Sequence, residues 1–180
     1  MKNRYVKGSL RMELYVIRHA IAQQLGRKND FMDEKRALTP EGRERMREAA
    51  RGLRKLGVEF DVILTSPLVR AVETAEIIAA TAGLTKKDVE QTDNLAPDAS
   101  HGDLFAEIKR HTGAESIAIV GHQPDLGGII SKIVQGDGSL AIELKKGSVC
   151  CVNVTETVPT LRGRLMWLFA PKHLRMLAKV

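Results

Sequence analysis

The chain has 180 residues, 43% hydrophobic and 28% charged, with 28 Lys and Arg against 22 Asp and Glu and a formal net charge of +6. That length suits one domain with a substantial core; no apolar run approaches the roughly 20 residues of a membrane span, and aromatics at 4% are too few for a wall of base-stacking rings. The densest basic stretch, "EGRERMREAARGLRKLG", interleaves its arginines with Glu41, Glu44 and Glu48 as on a solvated helix face, so the positive excess points to an anionic substrate or an acidic partner protein rather than to nucleic acid.

In chain order, "MKNRYVKGSLR" is basic but lacks the apolar stretch of a secretory signal. Residues 1–11 are expected to be a loose leader before a domain over 12–180, with Met12 an alternative start. Glu13–Ile17 is a predicted buried strand, and Arg18-His19 arrives where it ends. A buried strand tolerates neither residue unless it is paired, so the pair either caps the strand in solvent or has a task. "LTPEG" predicts a helix start with Thr39 as N-cap and Pro40 in the first position; Met46, Ala49, Ala50, Leu53 and Leu56 recur at helical spacing, and Gly57 ends the run. "FDVILTS" is the second strand, and Pro67 opens a helix, "PLVRAVETAEIIAATAG", that Gly83 closes.

A loop rich in Asp and Pro leads to a short helix expected at Asp103–His111, then a third strand, "SIAIVGH", and a helix from Pro124 to about Val134. "LAIEL", "SVCCVNV" and "RLMWLFA" are further strand candidates before the basic end "PKHLRMLAKV". Cys150 and Cys151 are adjacent on a strand and point to opposite faces, so they are expected to be buried free thiols in a reducing cytoplasm; no Cys or His spacing suggests zinc. Strands separated by helices predict an α/β fold, a three-layer α/β/α sandwich whose central sheet is mostly parallel, with antiparallel strands added late.

Ligands of such sheets bind beyond the carboxyl ends of the strands. The first strand ends in Arg18-His19, the second in Thr65-Ser66-Pro67 with Arg70 one turn into the helix, the third in Gly121-His122-Gln123-Pro124. Singly, each has an ordinary reading: a strand cap, an exposed helix arginine, an interior histidine. If the strands are parallel neighbours, two arginines and two histidines meet at one edge. Guanidinium forks suit non-bridging phosphate oxygens, and a neutral imidazole is a competent nucleophile toward phosphorus. Helix starts at Pro67 and Pro124 would aim amides at the same anion. Such chemistry needs no metal or other cofactor, and the carboxylate clusters that hold magnesium are not evident.

The blocks "RHA" (Arg18 to Ala20), "SPLVRAVETA" (Ser66 to Ala75) and "VGHQP" resemble the signature elements of the histidine phosphatase superfamily, which has a phosphoglycerate mutase-like fold. "LTPEG", Ala20 and "APKHLRML" are most similar to its SixA-type phosphohistidine phosphatases. The resemblance implies that His19 is the nucleophile and forms a transient phosphohistidine. It implies further that Arg18, Arg70 and His122 hold the phosphoryl group, that the Gln123 N–H adds a donor, and that inorganic phosphate or analogous anions bind there. Ala20 stands where many members have Gly. Larger relatives carry an acidic proton donor between the second and third blocks, and in "QTDNLAPDASHGDLF" the candidates are Asp93, Asp98, His101 and Asp103, each of which reads more simply as a loop or cap residue, Asp103 as an N-cap. The expected function is a cytoplasmic phosphatase acting on phosphohistidine in signalling or phosphotransfer proteins. A phosphomonoesterase for a small metabolite and a non-catalytic module that binds a phosphorylated ligand are the alternatives, and the oligomeric state stays open.

Overall fold

A computed structural model describes residues 12–24, 30–111 and 113–179; the leader expected over 1–11 lies outside the described residues. In chain order the elements are β1 (Met12–Arg18), α1 (Pro40–Lys55), β2 (Val62–Thr65), α2 (Val69–Ala82), β3 (Val89–Gln91), α3 (His101–Arg110), β4 (Ser116–Gly121), α4 (Asp125–Val134), β5 (Val149–Glu156), β6 (Arg162–Phe169) and α5 (Pro171–Leu177). They build one six-stranded sheet in the order β3-β2-β4-β1-β5-β6. The first four strands run parallel, and β5 and β6 join antiparallel.

The alternation of β1 explains the layers. Tyr15 and Ile17 pack with Met46, Leu53, Ile78 and Leu174 of α1, α2 and α5, while Leu14 and Val16 pack with Leu104, Ile108, Ile130 and Ile133 of α3 and α4. The sheet is thus covered on both faces, as expected of a mostly parallel α/β/α sandwich. Cys150 and Cys151 are free and buried, and they fall in these two opposite cores. Burial pushes both thiols up to about 12.

Local chemistry sets the helix ends. The Thr39 hydroxyl accepts the Gly42 N–H at 2.9 Å with Pro40 next in line, and Gly83 closes α2 at a left-handed φ of 83°. Some boundaries differ from expectation. The helix α2 begins at Val69, two residues after Pro67, and α4 begins at Asp125 with Pro124 at its cap. Ser100 rather than Asp103 caps α3, because its hydroxyl reaches the Asp103 N–H three residues on. "LAIEL" is not a strand: both edges of β1 are occupied, and the carbonyls of Ile142 and Leu144 accept from the side chains of Gln123 and Arg18. Two elements went unpredicted, β3, a strand of three residues, and the helix α5 within the basic end.

The helix α5 lies directly on α1, and a methyl group added at Gly52 would stand 2.0 Å from the Leu174 carbonyl oxygen. Gly52→Ala is therefore expected to lower stability by about 2 kcal/mol through overpacking. Gly102→Ala on α3, where the nearest atom to an added methyl is the Ser100 hydroxyl at 3.5 Å, is the control that should leave the urea midpoint unchanged or raised.

Candidate active site

Hydrogen-bond register brings three strand ends level. Arg18 pairs with Gly121 across β1 and β4, and Thr65 pairs with Val120 across β2 and β4. Just beyond, the His19 N–H donates to Gly121 O at 3.1 Å and the Ser66 N–H to Val120 O at 2.9 Å. The side chains that follow these positions converge: the rings of His19 and His122 lie 5.2 Å apart, centroid to centroid. Burial of Arg70, His19 and His122 is nearly complete.

His19 has a defined tautomer. Its Nδ1 lies 2.7 Å from Ala20 O, and a carbonyl only accepts, so the ring proton sits on Nδ1 and the neutral ring keeps its lone pair on Nε2. The loop that holds it is pinned from α2: the Ala20 N–H donates to Thr74 Oγ1 at 3.0 Å, and that hydroxyl donates to Arg70 O at 2.7 Å. His122 Nε2 lies 2.8 Å from Ser66 Oγ, which also accepts the Leu68 N–H at 3.3 Å.

Arg70 is buried and Arg18 half-buried, and both have incomplete partners. Arg70 donates from one terminal nitrogen to Asp33 O (2.8 Å) and from the other to Asp33 Oδ2 (2.9 Å), and Arg18 donates to Leu144 O at 2.6 Å. The Nε of both arginines and Nδ1 of His122 are buried and make no hydrogen bond among the described residues. Unmatched buried donors of this kind are costly unless an anion answers them.

Burial, opposed only by the Ala20 bond, and the charges of His122, Arg70 and Arg18 push the His19 imidazole down to about 3. Burial, and then Arg70, push His122 down to about 4, with Asp33 pulling the other way. Both rings are neutral at pH 7. Burial also lowers Arg18 and Arg70, yet a guanidinium stays charged at neutral pH. Burial raises the Asp33 carboxyl, but Arg70 and Arg36 outweigh it and hold the group below its usual range.

Of the expected site residues, the structure brings Arg18, His19, Arg70 and His122 together. Gln123 follows His122, with its side-chain amide donating to Ile142 O. The four acid candidates stand apart: none hydrogen-bonds either histidine ring among the described residues. Asp93, Asp98 and Asp103 are exposed, and His101 packs against Gly128. Three residues that serve the site escaped the sequence reading. Ser66 and Thr74 lie inside the "SPLVRAVETA" block and were legible as motif members, whereas Asp33, in the connection between β1 and α1, carried no signal.

The family model of the histidine phosphatase superfamily (branch 1) matches residues 14–97. An uncharacterised protein of Picosynechococcus is 41% identical over 140 residues, covering 77% of this chain and 82% of that protein. The phosphohistidine phosphatase SixA of Escherichia coli is 25% identical over 167 residues, 92% of this chain and 98% of its own. Among solved structures, a protein histidine phosphatase SixA complexed with tungstate superposes with a TM-score of 0.79 at 24% identity, covering 91% of this chain and 99% of that one. The chain belongs to the histidine phosphatase superfamily, with the fold of the SixA proteins. The activity these relationships support is that of a phosphatase.

The lowered histidines fix the sign of the stability change with pH. The unfolded chain takes up protons on His19 and His122 near pH 6.5 and the folded one near 3 and 4, so stability present above 6.5 is lost as pH falls toward those values. Each histidine is expected to remove about 2 kcal/mol between pH 7 and 5. Urea unfolding at the two pH values checks this, and His19→Asn should flatten the dependence by about half.

Proposed function

We propose that the protein is a cytoplasmic phosphohistidine phosphatase, with its activity in residues 12–180, acting on histidine-phosphorylated phosphotransfer or signalling proteins. The observation that carries the reading is the pairing of a neutral, oriented His19 with the Arg18 and Arg70 guanidiniums, with no carboxylate hydrogen-bonded to either histidine ring among the described residues. Asp33, a carboxylate that acts on His122, is ion-paired to Arg70 and held ionised. Expelling an alkoxide from a phosphate ester demands a strong proton donor. Expelling an imidazole does not when the phosphorylated ring is protonated on its second nitrogen, because the ring then leaves neutral.

In this mechanism His19 Nε2 attacks phosphorus as the substrate's P–N bond breaks, and the substrate histidine, already protonated on its second ring nitrogen, leaves neutral. Arg18 and Arg70 hold the equatorial oxygens, where charge spreads in the transition state. With the Ser66 hydroxyl donating to Nε2, His122 carries its proton on Nδ1 and donates it in a hydrogen bond to a phosphoryl oxygen; the Gln123 N–H is a further donor. Water then attacks the phosphorus of the His19 phosphoenzyme, the second P–N bond breaks, and inorganic phosphate leaves. The tungstate bound to the solved SixA is an oxyanion of the same geometry as phosphate, which is consistent with such a pocket.

Purified protein without metal should rapidly remove phosphate from a histidine-phosphorylated phosphotransfer domain and cleave p-nitrophenyl phosphate slowly. His19→Ala is expected to cost at least about 10³-fold in kcat, and Arg18→Lys about 10²-fold by loss of the fork. Efficient ester cleavage that Asp33→Asn abolishes would instead assign Asp33 as an acid and the protein as a metabolite phosphomonoesterase.

A further inference from the structure

A cleft of about 380 Å³ is lined by Arg18 and Ala20, the residues on either side of His19 in the chain. Its apolar lining includes Ile21, Met46 and Pro171, and its charged lining comes from three separate parts of the chain: Arg45 on α1, Lys145 and Lys146 before β5, and Lys172 and Arg175 on α5. Against these stands one lining carboxylate, Glu143. Arg45 is paired with Glu41 and Arg175 with Glu48, but Lys145, Lys146 and Lys172 are exposed and form no ion pair among the described residues.

The lysines are held in a defined place. The Ser148 N–H donates to Lys145 O at 2.8 Å, closing a tight turn that needs the left-handed φ of 80° at Gly147. The Gly147 N–H in turn donates to Arg18 O at 3.0 Å and His19 O at 3.1 Å. The lysine turn is therefore bonded to the backbone of the Arg-His pair itself. On the opposite wall, α1 approaches the chain after β1 so closely that a methyl group on Gly42 would meet Ile21 O at 2.1 Å.

We propose that this cleft docks an acidic segment of the substrate protein, carboxylates flanking the phosphorylated histidine, beside the phosphoryl pocket; the proposal rests on the phosphohistidine reading above. Flexible, exposed lysines around an apolar lining suit several carboxylates on a protein surface, whereas a small metabolite is fixed by a few convergent, buried polar groups. Charges at such a rim act on encounter and on retention of the whole partner, not on the bond being broken.

The test uses Lys145→Glu/Lys172→Glu, both exposed positions, with two substrates: a histidine-phosphorylated phosphotransfer domain with acidic residues around its histidine, and phosphoramidate, which carries a P–N bond and no protein. The expected result is a fall in kcat/KM of about tenfold or more with the protein, through KM, while phosphoramidate turnover stays within twofold of wild type. Protein turnover within twofold of wild type overturns the docking proposal alone. An equal fall with both substrates overturns it too, because the cleft would then act on the phosphoryl group or on folding. Wild-type turnover of phosphoramidate without any turnover of the phosphorylated domain removes the reading of function, and the docking surface with it.

Discussion

The structure depends on one constraint, the register in which β4 lies between β1 and β2. Gly121 O and Val120 O accept the backbone N–H groups of His19 and Ser66, so the residues that follow all three strands emerge at one height. A slip of one residue in either pairing would turn alternate side chains to the other face and separate the two histidine rings. Helices α2 and α4 follow β2 and β4 almost at once, which fixes Arg70 and His122 relative to that edge. The chemistry is therefore written in backbone hydrogen bonds that contain none of the reacting atoms.

This placement has an energetic cost. Two guanidinium groups and two imidazoles are taken largely out of water, and the fold answers them only in part. Arg70 is matched by Asp33, Arg18 by a single carbonyl, and the Nε of each is left over. The imidazoles respond differently, because a histidine can shed its charge when buried and an arginine cannot. Burial thus separates the roles by itself, leaving permanent cations that attract phosphoryl oxygens and a neutral ring with a free lone pair. Stability is given up where the site gains reactivity, and the two cores on either side of the sheet supply what is lost.

Much of this was legible in the sequence, unevenly. Caps and periodicity placed α1 and α2 well, since Thr39, Pro40 and Gly83 act through local geometry that a short stretch contains. The convergence of Arg18, His19, Arg70 and His122 followed from strand ends and parallel order, which alternating elements imply. What stayed hidden depends on distant contacts. β3 has too few residues for a period, "LAIEL" has the composition of a strand but lies next to β1, whose two edges are already occupied, and Asp33 reaches Arg70 only because the chain after β1 folds back over α2. The cleft was hidden for the same reason, since Arg45, Lys145 and Lys172 are far apart in sequence.

The net positive charge divides into two populations with different reach. Arg70 is buried and Arg18 half-buried, so solvent ions screen their pull on a bound phosphoryl group less than that of an exposed charge, and it acts at hydrogen-bond distance. Lys145, Lys146 and Lys172 stand in water, where physiological salt screens charges over about 8 Å; their pull is weak for any one contact and adds up only over an extended acidic surface. A small phosphate compound would engage the first population and ignore the second. On the docking proposal a phosphorylated protein would engage both, so that the exposed lysines would distinguish the carrier while Arg18, Arg70 and His19 would treat every phosphoryl group alike. The Gly147 N–H, bonded to Arg18 O and His19 O, joins the two populations, so the exposed lysines and the Arg-His pair share one backbone support.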